Sequence, residues 1–190
     1  MKNILYLLIV IGIIAGALYV ANKKSHIVEQ SAVYTAQDVG IAFTYRIGDD
    51  GYVVDERMPV DLGTGMIKTI VITPASTAGQ SAEGGELPPA TSIAVFENPK
   101  KQFPLVWAQQ NQDYSNYKLK KGSTTEAVVG GANAIRYLSD GLYTTDNIVV
   151  AHGDSVYVIS GQFIDMASPA RTDFEALVAS INFVPKPNQQ

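Results

Sequence analysis

Residues 142–162 read LYTTDNIVVAHGDSVYVISGQ, and this stretch decides the fold. Two runs rich in β-branched residues, 142–151 and 155–162, flank the tripeptide His152-Gly153-Asp154. Apolar runs on either side of a Gly–Asp turn are typical of a β-hairpin. The stretch therefore predicts two paired strands with their tip at residues 152–154.

Shorter runs outside this hairpin predict further strands, because their side chains alternate in polarity or are β-branched. These runs lie at residues 41–45, 52–56, 66–73, 92–96, 132–138 and 182–184. The turn residues Asp49-Asp50-Gly51 separate the first two runs. A mainly antiparallel sheet accounts for so many short strands.

One helix is predicted near the C-terminus. Ser168-Pro169 supplies an N-cap followed by proline at the first helical position, and Thr172 with Glu175 fits a capping box one turn later. The apolar residues that follow are spaced i, i+3, i+4 and i+7 and form one stripe that must pack against a sheet. These are Phe174, Leu177, Val178 and Ile181.

A second helix is predicted over residues 104–112, with Leu105, Val106 and Ala108 facing inward and residues 109–112 outward. The fold class is therefore α+β, with helices packed on the faces of the sheet.

The N-terminal segment predicts that the chain is located at a membrane. Residues 4–21 carry no charge, and as a helix they would reach about 27 Å, close to the bilayer core. We expect residues 1–22 to form a single-pass anchor with the C-terminal domain outside the cytoplasm. A signal peptide cleaved near Ala17 is the alternative, since Ala15-Gly16-Ala17 is an acceptable cleavage site.

The remaining chain divides by composition. Residues 23–38 are polar and predict a stalk, residues 39–184 a folded domain, and residues 185–190 a disordered tail. Within the domain, residues 74–91 (PASTAGQSAEGGELPPAT) predict a flexible insertion, because their small and polar side chains bury little surface.

Charge narrows the choice of partners. Residues 25–190 contain 11 Lys and Arg against 18 Asp and Glu, a formal charge of −7. Nucleic acid is therefore an unsuitable partner, since phosphate binding needs a basic face. The chain has no cysteine, so disulfides cannot stabilise it.

The order of elements resembles a known family. The sequence runs from GIAFTY (40–45) through a central segment with Trp107 to VGGANAIRY (129–137). It then continues through GLY (141–143) and a capped helix to SINF (180–183). This order is similar to the PsbP-like superfamily, in its bacterial membrane-anchored form. The resemblance implies an αβα sandwich and an accessory or partner-binding role.

No motif predicts a catalytic, metal or cofactor site. His26 lies in the stalk, and His152 with Asp154 gives two of the three or four ligands that a metal needs. The acidic residues Asp49, Asp50, Asp55, Glu56 and Asp61 lack calcium-loop spacing. Ser115 and Lys118 match S-x-x-K without the other motifs of that enzyme class.

Two sets of aromatic residues remain as candidate binding surfaces. The first is a possible partner-contact patch that combines tyrosines with lysines: Tyr114, Tyr117, Lys118, Lys120 and Lys121. The second is a possible aromatic groove formed by Tyr137, Tyr143 and Tyr157, which lie on neighbouring predicted strands. A solvated loop and a buried core are the respective alternatives.

These patterns favour a non-catalytic binding or scaffolding domain at the cell envelope, with an envelope protein as its partner and no cofactor. An envelope hydrolase or peptidoglycan-processing enzyme is one alternative, and would need carboxylates brought together in a cleft. A small-molecule carrier is another, and would need a large apolar pocket.

Overall fold

A computed structural model describes residues 30–59, 65–79, 90–165 and 167–187. These residues form ten β-strands and three α-helices. The strands are β1 Ser31–Ala36, β2 Ile41–Arg46, β3 Tyr52–Arg57, β4 Met66–Pro74, β5 Thr91–Glu97, β6 Lys120–Val129, β7 Ala132–Asp140, β8 Thr144–His152, β9 Ser155–Phe163 and β10 Asn182–Phe183. The α-helices are α1 Pro104–Gln110, α2 Gln112–Ser115 and α3 Pro169–Ser180.

Seven strands form one antiparallel sheet in the order β3-β4-β5-β9-β8-β7-β6. The predicted hairpin at its centre is confirmed: β8 pairs with β9 from Thr144↔Phe163 to His152↔Ser155, leaving Gly153 and Asp154 as the turn. A smaller antiparallel sheet has the order β1-β2-β10.

The small sheet and α3 cover one face of the large sheet, which we call the closed face. Its core includes Tyr157 and Ile159 of the large sheet, Phe43 of the small sheet, and Phe174 and Leu177 of α3. The predicted apolar stripe of α3 is therefore confirmed. Ser168 occupies the N-cap position, but its buried hydroxyl has no hydrogen-bond partner among the described residues. Proline at the first helical position is therefore the helix-start signal that the structure retains.

Helix α1 covers the opposite face, which we call the α1 face. Trp107 and Ala108 pack there against Phe96, Val149 and Val158. The predicted inward orientation of Leu105 and Val106 is wrong, because both are exposed. Pro104, Trp107 and Ala108 are spaced i, i+3 and i+4, and this spacing turns the intervening pair outward.

Several predicted boundaries differ from the structure. The stalk was expected to reach residue 38, but residues 31–36 form β1, in which Ala32, Tyr34 and Ala36 turn inward with strand periodicity. The predicted tail begins with ordered contacts, since Lys186 Nζ lies 2.8 Å from both Asp154 Oδ1 and Ser155 Oγ.

The predicted insertion is partly described, with β4 reaching Pro74 and a 3-10 turn at Ala75–Thr77, whereas residues 80–89 lie outside the described residues. The predicted anchor, residues 1–22, also lies outside them. Among the helices that the structure describes, none has the length and apolarity to cross a bilayer.

Candidate partner-binding groove

A tightly bonded loop holds the start of α1. Asn98 is buried, its side-chain amide donates to the Gln102 carbonyl at 3.1 Å, and its Oδ1 accepts from the Gln102 N–H at 2.9 Å. Phe103 then takes the N-cap position in an extended conformation, and Trp107 N–H donates to its carbonyl at 3.0 Å. The loop therefore fixes the backbone of Phe103 while its side chain is 71% exposed.

A groove of about 600 Å³ separates the start of α1 from β6. Phe103, Pro104 and Leu105 form the helix wall, and Asn133 to Ile135 of β7 line it as well. The opposite wall is residues 124–128 of β6, where Val128 is 70% exposed. Exposed apolar side chains thus occur on both walls, an arrangement that marks interaction sites.

Strand β6 is an edge strand, since β7 is the one described strand with which it pairs. A register shift between Lys121 and Thr125 divides it into two parts. The hairpin to β7 turns at Gly130 and Gly131, both with positive φ. A Cβ on Gly130 would lie 2.9 Å from the Phe183 ring, so glycine is needed there for space as well as for conformation.

Glu126 supplies the negative charge of the groove. It lines the β6 wall beside Thr124 and Val128, and it has no ion pair among the described residues. Its side chain lies on the same face of the strand as that of Val128, because the two residues are separated by one position. The groove therefore combines apolar walls with one unpaired carboxylate.

The predicted tyrosine–lysine patch is only partly brought together. Lys120 Nζ lies 5.8 Å from the centre of the Tyr117 ring, a cation–π contact. Lys118 pairs with Asp113, and Lys121 pairs with Asp140 at 2.9 Å. These internal partners leave the patch with little net positive charge.

Tyr114 packs on a different strand of the large sheet from Tyr117. Its ring lies 5.5 Å from Phe96 of β5, whereas the ring of Tyr117 lies 5.0 Å from Tyr137 of β7. Since β9 and β8 lie between these two strands, the tyrosines contact sheet positions about 14 Å apart.

The three tyrosines of the predicted aromatic groove do not line a common surface. Tyr157 is buried on the closed face, where its hydroxyl donates to the Val39 carbonyl at 2.6 Å and burial raises its pKa to about 12. Tyr137 is buried on the α1 face and donates to the Ser115 carbonyl at 2.5 Å. Tyr143 lies in the loop between β7 and β8. The alternation of side chains along paired strands separates them.

The residues weighed for catalysis or metal binding also have structural partners. The His152 ring stacks on Phe183 at 4.3 Å, and Asp154 pairs with Lys186. The hydroxyl of Ser115 is buried and donates to the Ala108 carbonyl at 2.9 Å, away from Lys118. Among the described residues, no three His, Asp or Glu side chains are close enough together to hold a metal ion.

Two ion clusters lie between the layers of the closed face. Lys68, nearly buried, bonds to Asp38 and Glu56 at 2.6 Å each. Burial lowers the pKa of Lys68, but the hydrogen bonds that its ammonium donates to Asp38 and Glu56 outweigh burial and raise it. The hydrogen bond from Lys68 in turn lowers the pKa of Glu56. This cluster joins the small sheet to β3 and β4.

The second cluster joins α3 to the large sheet. The Arg136 guanidinium bonds to Asp146, which is 1% exposed, and to Glu175 of α3. The hydrogen bond from Arg136 lowers the pKa of Glu175. The hydrogen bonds that Arg136 donates to both carboxylates raise its own pKa further. Since these groups are paired with one another, they connect layers and do not form an open site.

A comparison with solved structures identifies the fold. The solution structure of cyanobacterial PsbP (CyanoP) from Synechocystis sp. PCC 6803 matches with a TM-score of 0.55 over 84% of this chain and 95% of that one. The two sequences are 10% identical. The domain has a PsbP-like fold. This finding confirms the α+β class and the fold that the resemblance implied.

Other comparisons add little to this PsbP-like assignment. A crystal structure from Bacteroides thetaiotaomicron VPI-5482 matches with a TM-score of 0.46, 10% identity and coverage of 83% of this chain and 50% of that one. No protein-family model matches the sequence, and no curated protein matches it.

A second concavity of the PsbP-like domain lies on the α1 face beyond the helix. It measures about 520 Å³ and is formed by β3, β4 and neighbouring residues, among them Val53, Val71 and Thr73. Asp55 and Arg57 form an ion pair in its wall at 3.3 Å. Because Asp55 and Arg57 pair with each other, neither charge is left to attract a partner. This concavity is therefore a weaker candidate for a binding site than the groove.

Proposed function

We propose that the chain is a membrane-tethered, non-catalytic domain that binds a partner protein in the groove between α1 and β6. The observation that carries the proposal is the pair of exposed apolar walls, with Phe103 opposite Val128. Rigidly held aromatic side chains are frequent anchors in protein interfaces. Because Asn98 fixes the loop before Phe103, little backbone conformational entropy is lost when a partner packs on that ring.

The alternatives have less support among the described residues. A hydrolase needs an accessible pair of catalytic groups, but Asp146, Glu175 and Asp173 are each bonded to an arginine. A small-molecule carrier needs an enclosed apolar pocket under the helix. Trp107 occupies that space beneath α1, with its ring 4.9 Å from Phe96.

The proposed tether is residues 1–22, for which the apolar sequence is the support. Strand β1 begins at Ser31, which pairs with Arg46, and Arg46 lies beside Tyr52 at the first residue of β3. Phe103 follows the last residue of β5, at the opposite end of the large sheet.

Site-specific photo-crosslinking in native membranes tests this proposal. A benzophenone amino acid replaces Phe103 in the full-length chain, and the matched control replaces Leu142, which is 66% exposed at the other end of the sheet. We expect one discrete adduct from position 103 and none from position 142. Adducts of the same mass and yield from both positions would contradict the proposal.

Cell fractionation tests the tether separately. We expect the full-length chain in the membrane pellet, resistant to carbonate extraction, with an intact mass that includes residues 1–22. A soluble product that lacks residues 1–17 would show cleavage instead of anchoring.

A further inference from the structure

The free edge of β6 exposes specific backbone groups. Gly130 and Gly131 have φ of 55° and 79°, which is typical of a two-residue type I′ turn. The residues that flank such a turn, Val129 and Ala132, form a hydrogen-bonded pair. From there along the ladder, hydrogen-bonded pairs alternate with non-hydrogen-bonded pairs, whose backbone groups point outward. The N–H and C=O groups of Val128 and Glu126 therefore point away from β7.

The same two residues contribute their side chains to the groove. Glu126 and Val128 lie on the α1 face, opposite Phe103 and Leu105. A strand that paired with this edge would place every second side chain over that face. An added strand would thus pair with the backbone of Glu126 and Val128 and cover the side chains of the same two residues.

We propose that the partner binds as an extended strand added to β6, with apolar side chains over the groove and a lysine or arginine facing Glu126. This inference rests on the proposed function, since it specifies how the same groove holds its partner. In such recognition the main-chain bonds supply affinity, and the alternate side-chain positions supply specificity. The unpaired Glu126 carboxylate selects a basic residue by charge complementarity.

Pairing with a second copy of this chain is disfavoured by charge. If two copies paired their β6 strands antiparallel about a two-fold axis near Glu126, the two Glu126 side chains would lie on the same face of the sheet. They would be either directly opposite each other or diagonal neighbours. Like charges on adjacent strands destabilise their pairing. The inference therefore commits to a different protein with a basic extended segment.

The test measures binding of a defined peptide to the full-length chain in detergent micelles. The probe is a fluorescent eight-residue peptide with capped ends. Valines and one lysine occupy the alternate positions that face the groove, and threonines occupy the others. A second peptide carries N-methyl groups on the amides that would pair with β6. We expect the N-methylated peptide to bind at least about tenfold more weakly, because the buried acceptors lose their donors.

Two substitutions test the protein side of the same contact. Val128→Pro removes one outward N–H and keeps the pairing with β7, because edge strands tolerate proline where the N–H faces solvent. Val128→Ala is its matched control and keeps that N–H. We expect V128P to weaken binding about tenfold more than V128A. Glu126→Lys should reverse the preference, toward a peptide with glutamate in place of lysine.

The outcomes separate this inference from the proposed function. Equal binding of both peptides, together with loss of binding in Phe103→Ser, would overturn strand addition and leave the groove as a binding site. No peptide binding together with no adduct from position 103 would overturn both. Dimerisation that V128P abolishes would show a second copy on this edge and overturn the inference. If V128P does not fold, the N-methylated peptide and the reversed charge preference of E126K still test whether the partner binds as an added strand.

Discussion

The two faces of the large sheet are built differently. The closed face carries a small sheet and a twelve-residue helix, and its layers are joined by buried aromatic side chains and ion clusters. The α1 face carries a seven-residue helix, and exposed apolar side chains remain beside it. The difference indicates that the closed face provides most of the stability, whereas the α1 face leaves surface available for binding.

The strongest test of this comparison is a phenylalanine on each face. Phe174→Ala should lower the free energy of unfolding by about 3–5 kcal/mol, because the ring is buried against Phe163. Phe103→Ala should change it by less than about 0.5 kcal/mol, since the ring is mostly exposed. Urea denaturation measures both. Similar losses from the two variants would contradict the division between the faces.

The ion cluster under α3 gives the next largest effect. Arg136→Met leaves the buried Asp146 carboxylate without its main partner and should cost about 3 kcal/mol. Arg171 at 3.7 Å is then the remaining partner of Asp146. Adding Asp146→Asn removes this poorly paired charge, so the double variant should recover most of that loss. A double variant no more stable than R136M, by urea denaturation, would show that the charge is not the cause.

Packing of the closed face against α3 can be probed at Gly161. An added Cβ there would lie 2.7 Å from Phe174 Cδ2 and 2.8 Å from Phe163 Cζ. Gly161→Ala should therefore cost about 1–3 kcal/mol through overpacking. Gly141→Ala is the control, because its Cβ would have no contact shorter than 3.9 Å. Thermal unfolding should separate the two variants, and equal midpoints would refute the close contact.

Acid sensitivity should give the smallest effect. The hydrogen bond from Arg136 lowers the pKa of Glu175 below its usual 4.5. A carboxyl whose pKa is lower in the folded state stabilises the protein above pH 4.5, and this contribution is lost as the pH falls through the folded pKa. Because Glu175 is 42% exposed, solvent screening keeps the effect below about 1 kcal/mol.

Glu175→Gln should accordingly reduce the difference between urea midpoints measured at neutral pH and in acid below pH 4.5. The comparison needs both pH values, since the variant also loses the ion pair at neutral pH. An unchanged difference would mean that Glu175 does not contribute to the acid sensitivity of the closed face.

The central strands could be predicted because burial on both faces imposes a strong apolar pattern, and α3 because its buried stripe follows helical spacing. The hairpin at residues 152–154 and the stripe beginning at Phe174 are examples. Two edge strands lack that signal: β1 reads SAVYTA and β6 reads KKGSTTEAVV. Both were therefore missed as strands.

The groove could not be predicted from the sequence for a related reason. Which face of α1 is buried depends on how the helix packs, and Trp107 decides it by filling the space over Phe96. The sequence signal for the buried face of α1 is the i, i+3, i+4 spacing of Pro104, Trp107 and Ala108, which becomes visible when Pro104 is taken as the first helical residue. The proximity of Phe103 to β6 depends on the tertiary fold, and the local periodicity of the sequence carries no information about this long-range contact.

The register shift in β6 has a consequence for the protein in solution. Open strand edges are sites where chains aggregate, and lysines and irregularities protect them. Lys120, Lys121 and the left-handed Gly122 protect the first part of β6, but the Thr124–Val129 part has only the Glu126 charge for protection. Concentrated preparations of the parent chain should therefore stay clear at neutral pH, whereas preparations of Glu126→Gln should turn cloudy at the same pH.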